Sequence, residues 1–163
     1  GARVAGWLSE KVELWPMRPK LVVTEPVPYF MEPALGVVGG DVYVRQIPRG
    51  NLIFGGRSGT ADLDEGFGHA ITEETLCTLE RTVKVIPRMA DVNIIRLWSG
   101  VEGCTPDHLP VLGPSRTTPG VMHAFGFSGH GFCLGPGVGA VMAELLLDGA
   151  TSTPIEAFDI GRF

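Results

Sequence analysis

Apolar residues are spaced differently in the first part of the chain and in its last fifty or so residues. Up to residue 113, short apolar runs and alternating apolar and polar positions are typical of β-strands. The predicted strands are 20–25, 41–46, 52–57 and 93–101. The second and third flank Pro48-Arg49-Gly50-Asn51, so they form a predicted hairpin with Val42 and Val44 on one face.

Helical spacing predicts three helices. The first covers residues 3–12, and the second begins at Thr72, interpreted as the N-cap, and runs through Ile86 to a stop at Pro87. The third begins at Pro136, after a predicted strand at 120–125, and ends at the C-cap Gly149. Its predicted apolar face consists of Val138, Val141, Met142, Leu145 and Leu146. The chain is therefore predicted to be α+β, with a mixed, largely antiparallel sheet, flanking helices and a final strand–loop–helix.

A glycine-rich loop, Gly126-Phe127-Ser128-Gly129-His130-Gly131, precedes the last helix. A helix N-terminus presents unpaired N–H groups that suit an anion or an electron-rich carbonyl, and glycines permit close approach. A tight turn with nothing bound is an equally weighted alternative. The loop does not match Gly-x-Gly-x-x-Gly, and His130 stands where a nucleophile elbow requires glycine. A hydrolase based on Ser128 is therefore a weak third alternative without an acid–base partner.

Composition narrows the functional class. The chain has 163 residues, is 44% hydrophobic and has a formal charge of -5 without charge blocks, so we expect a globular protein that does not bind nucleic acid. No apolar run is long enough to span a bilayer. Three cysteines without metal-type spacing favour a reducing compartment, and no metal site is predicted. The absence of an initiator Met suggests a piece of a longer protein.

Several side chains are candidates for binding a small anionic or amine ligand. Tyr43 and Arg45 share a face of the predicted hairpin, and Arg57 ends its second strand, so together they could clamp a carboxylate. Glu102 could bind an amine, and His130 lies between two glycines, where it faces solvent or a ligand. Ordinary exposed charges are the alternative for these residues, and no catalytic residue is assigned.

Three segments resemble the D-amino-acid oxidase family of flavoproteins. Residues 98–113, Trp-Ser-Gly-Val-Glu-Gly-Cys-Thr-Pro-Asp-His-Leu-Pro-Val-Leu-Gly, are similar to its Trp-x-Gly … Thr-Pro-Asp-x-x-Pro-x-x-Gly signature, and 126–136 to its Gly-Phe-Ser-Gly-His-Gly-Phe loop. Leu52-Ile53-Phe54-Gly55-Gly56 resembles its Gly-Gly-ending strand. The subgroup most similar comprises the sarcosine oxidase β-subunit, dimethylglycine dehydrogenase and the proline or hydroxyproline dehydrogenases.

The resemblance implies FAD as cofactor and three regions. Residues 1–13 would end an FAD-binding region, 14–113 would form a substrate-binding β-sheet domain, and 114–163 would return to the FAD domain. The family's Gly-x-Gly-x-x-Gly segment is absent from this sequence, so a separate N-terminal FAD-binding part is implied as a partner. The residues implied to contact the flavin N1/C2=O edge are Ser128, Gly129, His130, Gly131, Phe132, Cys133 and Leu134.

The implied reaction is hydride transfer to flavin N5 from the carbon next to an amine, in a small amine or amino acid such as sarcosine or proline. Tyr43, Arg45, Arg57, Glu102 and His130 are the candidate substrate-binding residues. Oxygen and a subunit of a hetero-oligomer stay open as electron acceptors, and a cytoplasmic location is expected. A non-catalytic binding or assembly module is the alternative function. Covalent flavin through Cys104 is not expected, because Gly100 matches the linking cysteine of some sarcosine oxidases.

Overall fold

A computed structural model describes residues 1–56, 59–62 and 71–163, and for residue 60 only the backbone. The chain divides into two compact units. We call Pro16–Val101 the sheet unit, and Gly1–Trp15 together with Glu102–Phe163 the hairpin unit. The second division lies before Glu102, whereas the resemblance implies a boundary after residue 113, and the implied domain assignment stays a prediction.

The sheet unit contains a five-stranded sheet in the order β3-β4-β5-β2-β7, and all of its neighbouring strands are antiparallel. Its strands are β2 (Lys20–Pro26), β3 (Leu35–Gly36), β4 (Tyr43–Gln46), β5 (Asn51–Gly55) and β7 (Ile94–Ser99). Two further short strands, β1 (Trp15–Arg18) and β6 (Gly59–Thr60), pair with each other. The predicted largely antiparallel sheet and the predicted hairpin are confirmed. Strands β4, β5 and β7 are shorter than predicted, whereas β2 extends one residue further, to Pro26.

One face of the five-stranded sheet carries the core of this unit. Buried residues of that core include Val22, Val42, Val44, Leu52, Phe54 and Met89. They pack against helix α2 (Thr72–Val85) and a 3-10 helix at Pro87–Asp91. The opposite face, which we call the second face, carries the alternate residues of the same strands. Tyr43 and Arg45 on that face are exposed, while Val42 and Val44 are buried, as predicted.

Two details of α2 differ from the prediction. The N-cap is Ile71 and makes no side-chain cap bond, so Thr72 is the first helical residue and not the cap. The most buried positions of the helix are the threonines Thr75, Thr78 and Thr82, while Cys77 is exposed. Each threonine hydroxyl donates to the carbonyl four residues earlier. This backbonding lets a polar side chain occupy the buried face, which an apolar pattern alone does not reveal.

The hairpin unit is built around the antiparallel pair β9 (Val111–Pro114) and β10 (Met122–Phe125). It also holds α1 (Ala2–Trp7), β8 (Glu102–Cys104), α3 (Gly131–Leu147) and two 3-10 turns, Glu156–Phe158 and Ile160–Arg162. Its small core consists of Ala5, Val12, Val111 and Ile160. Among the described residues, no helix combines the length and apolarity needed to cross a bilayer.

Two predicted helix boundaries in this unit are wrong. Helix α1 ends at Trp7, well before residue 12, and Ser9 adopts φ 65°, which helical geometry does not allow. Helix α3 begins at Gly131, so Pro136 lies inside the helix instead of at its start. Gly149 follows the helix with φ 73°, the left-handed conformation expected of its predicted capping role.

A buried ion pair ties the first residues of the chain to the β9–β10 hairpin. The Glu10 carboxylate accepts from Ser115 Oγ at 2.6 Å and from the Arg116 N–H at 2.6 Å. It also lies 2.9 Å from His123 Nε2. Burial opposes ionisation of this carboxyl, but the three hydrogen bonds and the charge of His123 prevail and lower the pKa of Glu10 to about 2.

Candidate functional site

The glycine-rich loop reverses the chain between β10 and α3 through left-handed backbone conformations. Gly126, Ser128 and Gly129 have φ values of 75°, 50° and 88°. Glycine adopts this region freely, whereas serine does so only where its surroundings hold it. At Gly126 the space is also limited, because a Cβ would lie 2.7 Å from the Thr105 methyl group. The loop is therefore a defined structure and not an arbitrary turn.

Ser128 holds the loop through its side chain. Its buried hydroxyl accepts from the Thr105 N–H at 3.2 Å and lies 3.2 Å from Thr105 Oγ1. Thr105 Oγ1 in turn donates to the Leu109 carbonyl at 2.8 Å. The backbones of Cys104 and Phe127 also pair as an isolated antiparallel β-bridge. A hydroxyl that is buried and engaged in this way cannot act as a nucleophile, which removes the hydrolase alternative.

The first turn of α3 presents backbone donors. His130 N–H bonds the Phe127 carbonyl and Leu134 N–H bonds the His130 carbonyl. The N–H groups between them, from Gly131 to Cys133, have no intrahelical acceptor, since they belong to the helix's first turn. The first turn contains no acidic residue, and the Phe132 side chain is 98% exposed. Three aligned donors at the positive end of a helix can stabilise a partly negative oxygen.

The Thr-Pro-Asp segment is fixed from its other side by the C-terminal turn. Arg162 binds the Asp107 carboxylate with two nitrogens, at 2.7 and 3.3 Å. The Leu109 N–H also donates to this carboxylate, at 3.0 Å. Chiefly because of the hydrogen bond from Arg162, the pKa of Asp107 falls to about 2. The segment that positions Thr105, and through it Ser128, is thus held by a bidentate ion pair.

A second group of candidate residues lies on the second face of the sheet. Tyr43 and Arg45 are neighbours there, and Tyr43 pairs with Gly55 across the β4–β5 ladder. A Cβ at Gly55 would lie 2.3 Å from the Tyr43 hydroxyl oxygen and 2.5 Å from Cζ, so the phenol ring covers this glycine. The Tyr43 hydroxyl donates to the Lys20 carbonyl at 3.4 Å. The absence of a side chain at Gly55 therefore allows the Tyr43 ring to occupy this position.

The candidate substrate-binding residues fall into the two units of the chain. Tyr43 and Arg45 belong to the sheet unit, while Glu102 and His130 belong to the hairpin unit. Arg57 lies outside the described residues. The His130 side chain is exposed, and Glu102 Oε2 is buried without a hydrogen-bond partner in the described part of the chain. Their roles in binding a flavin or a substrate stay predictions.

Comparison with known proteins identifies the family. The family model described as DAO, FAD dependent oxidoreductase, matches residues 1–145. The chain belongs to the FAD-dependent oxidoreductase family. This confirms the resemblance inferred from the motifs.

Individual relatives agree with this family assignment. Hydrogen cyanide synthase subunit HcnC of Pseudomonas aeruginosa is 26% identical over 156 residues, which are 95% of this chain and 36% of that protein. Sarcosine oxidase subunit beta of Rhizobium meliloti is 28% identical over 145 residues, covering 86% of this chain and 33% of that protein. The chain thus spans about a third of the length of these curated relatives.

Solved structures show the same fold. L-proline dehydrogenase from P. horikoshii matches with a TM-score of 0.88 and 29% identity, over 99% of this chain and 43% of that one. Glycine oxidase from Geobacillus kaustophilus matches with a TM-score of 0.90 at 21% identity, over 99% of this chain and 43% of that one. The α+β fold class with antiparallel sheets is therefore confirmed.

The residues of the loop and of α3 fit a flavin. A bound flavin needs hydrogen-bond donors at its carbonyl-bearing edge, and the three N–H groups from Gly131 to Cys133 are such donors. Cys104 fits a non-covalent flavin, because its side chain is buried and burial, with the charge of Glu102, raises the pKa of its thiol. A buried neutral thiol is a poor nucleophile. In the described part of the chain, no cluster of side chains could hold a metal ion.

Sequence reasoning missed several residues that shape these two groups. Thr105 stood inside the recognised Thr-Pro-Asp motif, but nothing in the motif indicates a bond to Ser128. Gly55 ended a Gly-Gly strand, where the Tyr43 ring and the Lys20 carbonyl leave no room for a side chain. Glu10 and His123 are 113 residues apart, and no local pattern links them.

Proposed function

We propose that this chain is the substrate-binding and flavin-contacting portion of an enzyme that oxidises a small amine or amino acid. When bound, the flavin supplies the hydride acceptor. The observation that carries the proposal is the start of α3, where three N–H groups without an intrahelical acceptor directly follow a loop fixed by Ser128 and Thr105. Negative charge that develops near those donors is stabilised without any rearrangement of the protein.

The chain's own residues would bind and orient the substrate. Arg45 and Tyr43, side by side on the second face, supply a cation and a phenol for a carboxylate. Glu102, whose Oε2 is buried without a hydrogen-bond partner in the described part of the chain, stays a separate candidate for binding an amine. With the α-carbon held in place, that carbon loses a hydride and the amine nitrogen a proton, and the resulting imine is hydrolysed by water.

The matched relatives and structures support an amine or amino-acid substrate. They include a sarcosine oxidase subunit, an L-proline dehydrogenase and a glycine oxidase. Two relatives are named as subunits, which supports a partner subunit as one route for the electrons, with oxygen as the other. We also propose a cytoplasmic location, since Cys77, Cys104 and Cys133 are all free thiols.

Anaerobic titration of the full-length protein tests this function. We expect sarcosine, proline or hydroxyproline to bleach the flavin absorbance, whereas lactate, which has the carboxylate but no amine, leaves it unchanged. Bleaching removes the oxidised flavin's visible absorption irrespective of the final electron acceptor. If no amine or amino acid bleaches the flavin, the oxidoreductase proposal is wrong and the binding or assembly module becomes the better account.

A second test concerns the cofactor phosphates. The sequence of this chain contains no Gly-x-Gly-x-x-Gly, so we propose that the FAD pyrophosphate binds to an N-terminal part of the full-length protein. The isolated 163 residues should then bind FAD at least 100-fold more weakly than the full-length protein, as measured by flavin fluorescence quenching. Equal affinity would contradict the proposed division of the FAD site.

A further inference from the structure

The second face carries another arginine that the sequence analysis did not single out. Val23 pairs with Ile53 on one side and with Arg96 on the other, and Ile53 pairs with Arg45. Directly opposed residues of antiparallel strands project to the same face. Arg45, Ile53, Val23 and Arg96 therefore form one row across four strands, with a cation at each end and two apolar side chains between them.

Neither of these arginines has a carboxylate partner in the described part of the chain. Other arginines do: Arg18 pairs with Glu74, Arg81 with Asp41, Arg116 with Asp159 and Arg162 with Asp107. Both Arg45 and Arg96 are exposed. Two uncompensated guanidinium groups on one face create a positive potential that attracts anions.

Arg96 is held by an aromatic neighbour. Its guanidinium carbon lies 5.4 Å from the centroid of the Trp98 ring, within the range of a cation–π contact. Trp98 pairs with Leu21, so it lies on the second face as well. Stacking restricts the guanidinium while leaving its N–H edges available, which suits recognition of a carboxylate.

The spacing of the two arginines matches a short ligand with two anionic ends. Their strands are separated by three inter-strand intervals, so their α-carbons lie roughly 14 Å apart. Two long side chains approaching from the ends of this row leave room between them for a few carbon atoms over the apolar surface of Ile53 and Val23. A substrate with a single carboxylate would occupy only one of the two cations.

We propose that Arg96 is a specificity-determining residue that binds a second carboxylate, so that the second face selects amines or amino acids carrying two carboxylates. This proposal rests on the proposed function of that face as the substrate surface. In this account Arg45 and Tyr43 bind one carboxylate, and Arg96 on Trp98 binds the other. Arg96 contributes to ground-state binding and leaves the reacting carbon unaffected.

Calorimetric binding to the full-length protein tests the role of Arg96. Glutamate and glutamine, each as both enantiomers, form a matched pair in which a carboxylate is replaced by a neutral amide of the same shape. We expect the preferred enantiomer of glutamate to bind at least ten times more tightly than glutamine. Arg96→Leu should abolish this difference without weakening glutamine, and Arg96→Lys should retain part of it.

Arg49→Leu is the matched control, since Arg49 is an exposed arginine at the turn between β4 and β5, away from the row. It should leave the glutamate-to-glutamine ratio unchanged. The proposal is overturned if Arg96→Leu leaves that ratio as it is in the wild type, or if the wild type shows no preference. Binding requires no turnover, so this outcome is distinct from a failure of amines to bleach the flavin, which would refute the proposed function instead.

Discussion

The glycine-rich loop and the second face of the sheet would bind their ligands by different means. The loop offers backbone N–H groups, and its side chains, Ser128 above all, are used internally to hold the backbone. The second face offers side chains, whose positions follow from strand register and from the presence of glycine at position 55. If these proposed roles hold, substitutions on the sheet should change the substrate while the flavin contacts persist.

The two units also differ in how they satisfy buried polar groups. In the hairpin unit, the buried polar groups around Glu10 are paired with a charged carboxylate, which lies against His123. In the sheet unit the neutral Gln46 accepts from the N–H groups of Phe30 and Met31 and donates to the Gly50 carbonyl. A charged network depends on pH, whereas a neutral amide network does not. This contrast leads to the prediction with the largest expected effect.

Glu10→Gln should destabilise the hairpin unit by about 2–4 kcal/mol, because it leaves His123 buried without its anionic partner. Native-state hydrogen exchange of the full-length protein measures this unit by unit. Glu13→Gln, at an exposed position of the same segment, is the control and should change protection by less than about 0.5 kcal/mol. Equal effects of the two substitutions would show that the Glu10 network contributes no specific stability.

Acid should loosen the hairpin unit before the sheet unit. The pKa values of Glu10 and Asp107, both in the hairpin unit, are lowered from 4.5 and 3.8 to about 2. A lowered pKa contributes stability that is present above the ordinary value and is lost as pH falls through about 2. Hydrogen exchange between pH 4.5 and 2 should show earlier loss of protection in the hairpin unit. Simultaneous loss in both units would contradict this.

Thr105→Val tests whether the loop depends on its anchor. Removing the hydroxyl that bonds the Leu109 carbonyl and Ser128 should cost about 1–3 kcal/mol and leave Ser128 partly unsatisfied. We expect the full-length protein to lose flavin at least ten times more readily, as followed by fluorescence during dialysis. Thr24→Val is the control, because it removes a comparable buried hydroxyl, which bonds the Leu52 N–H, from the sheet unit. Equal flavin loss in both variants would indicate general destabilisation and no specific anchor.

Gly55→Ala tests the second face with a smaller change. The added methyl group would collide with the Tyr43 ring and with the Lys20 carbonyl oxygen, and the ring would be displaced. We therefore expect a roughly tenfold rise in KM for an amino acid, about 1.4 kcal/mol. The flavin spectrum should stay unchanged. Gly36→Ala, where a Cβ meets nothing within 4 Å, is the control. A wild-type KM in Gly55→Ala would show that Tyr43 takes no part in substrate binding.

Features encoded by local sequence were predictable, and those created by tertiary contact were not. The β4–β5 hairpin and the alternation of Val42 and Val44 with Tyr43 and Arg45 followed from period-two patterning. The start of α3 was missed because Pro136 is typical of a first turn, whereas here it is tolerated deeper in the helix. The anchoring of Ser128 by Thr105 joins residues 23 positions apart, which no spacing rule anticipates.

The most direct test of the central claim is the reductive half-reaction of the full-length protein, measured by anaerobic stopped flow for the wild type and Arg45→Leu. If the second face binds the substrate carboxylate while the loop contacts the flavin, the apparent Kd of the amino acid should rise at least tenfold. The limiting rate of flavin bleaching should stay within about threefold of the wild-type rate, because the lost interaction stabilises the bound substrate and the transition state equally. The flavin content should be unchanged. An unaltered Kd, or a loss of flavin from the Arg45→Leu protein, would contradict the account.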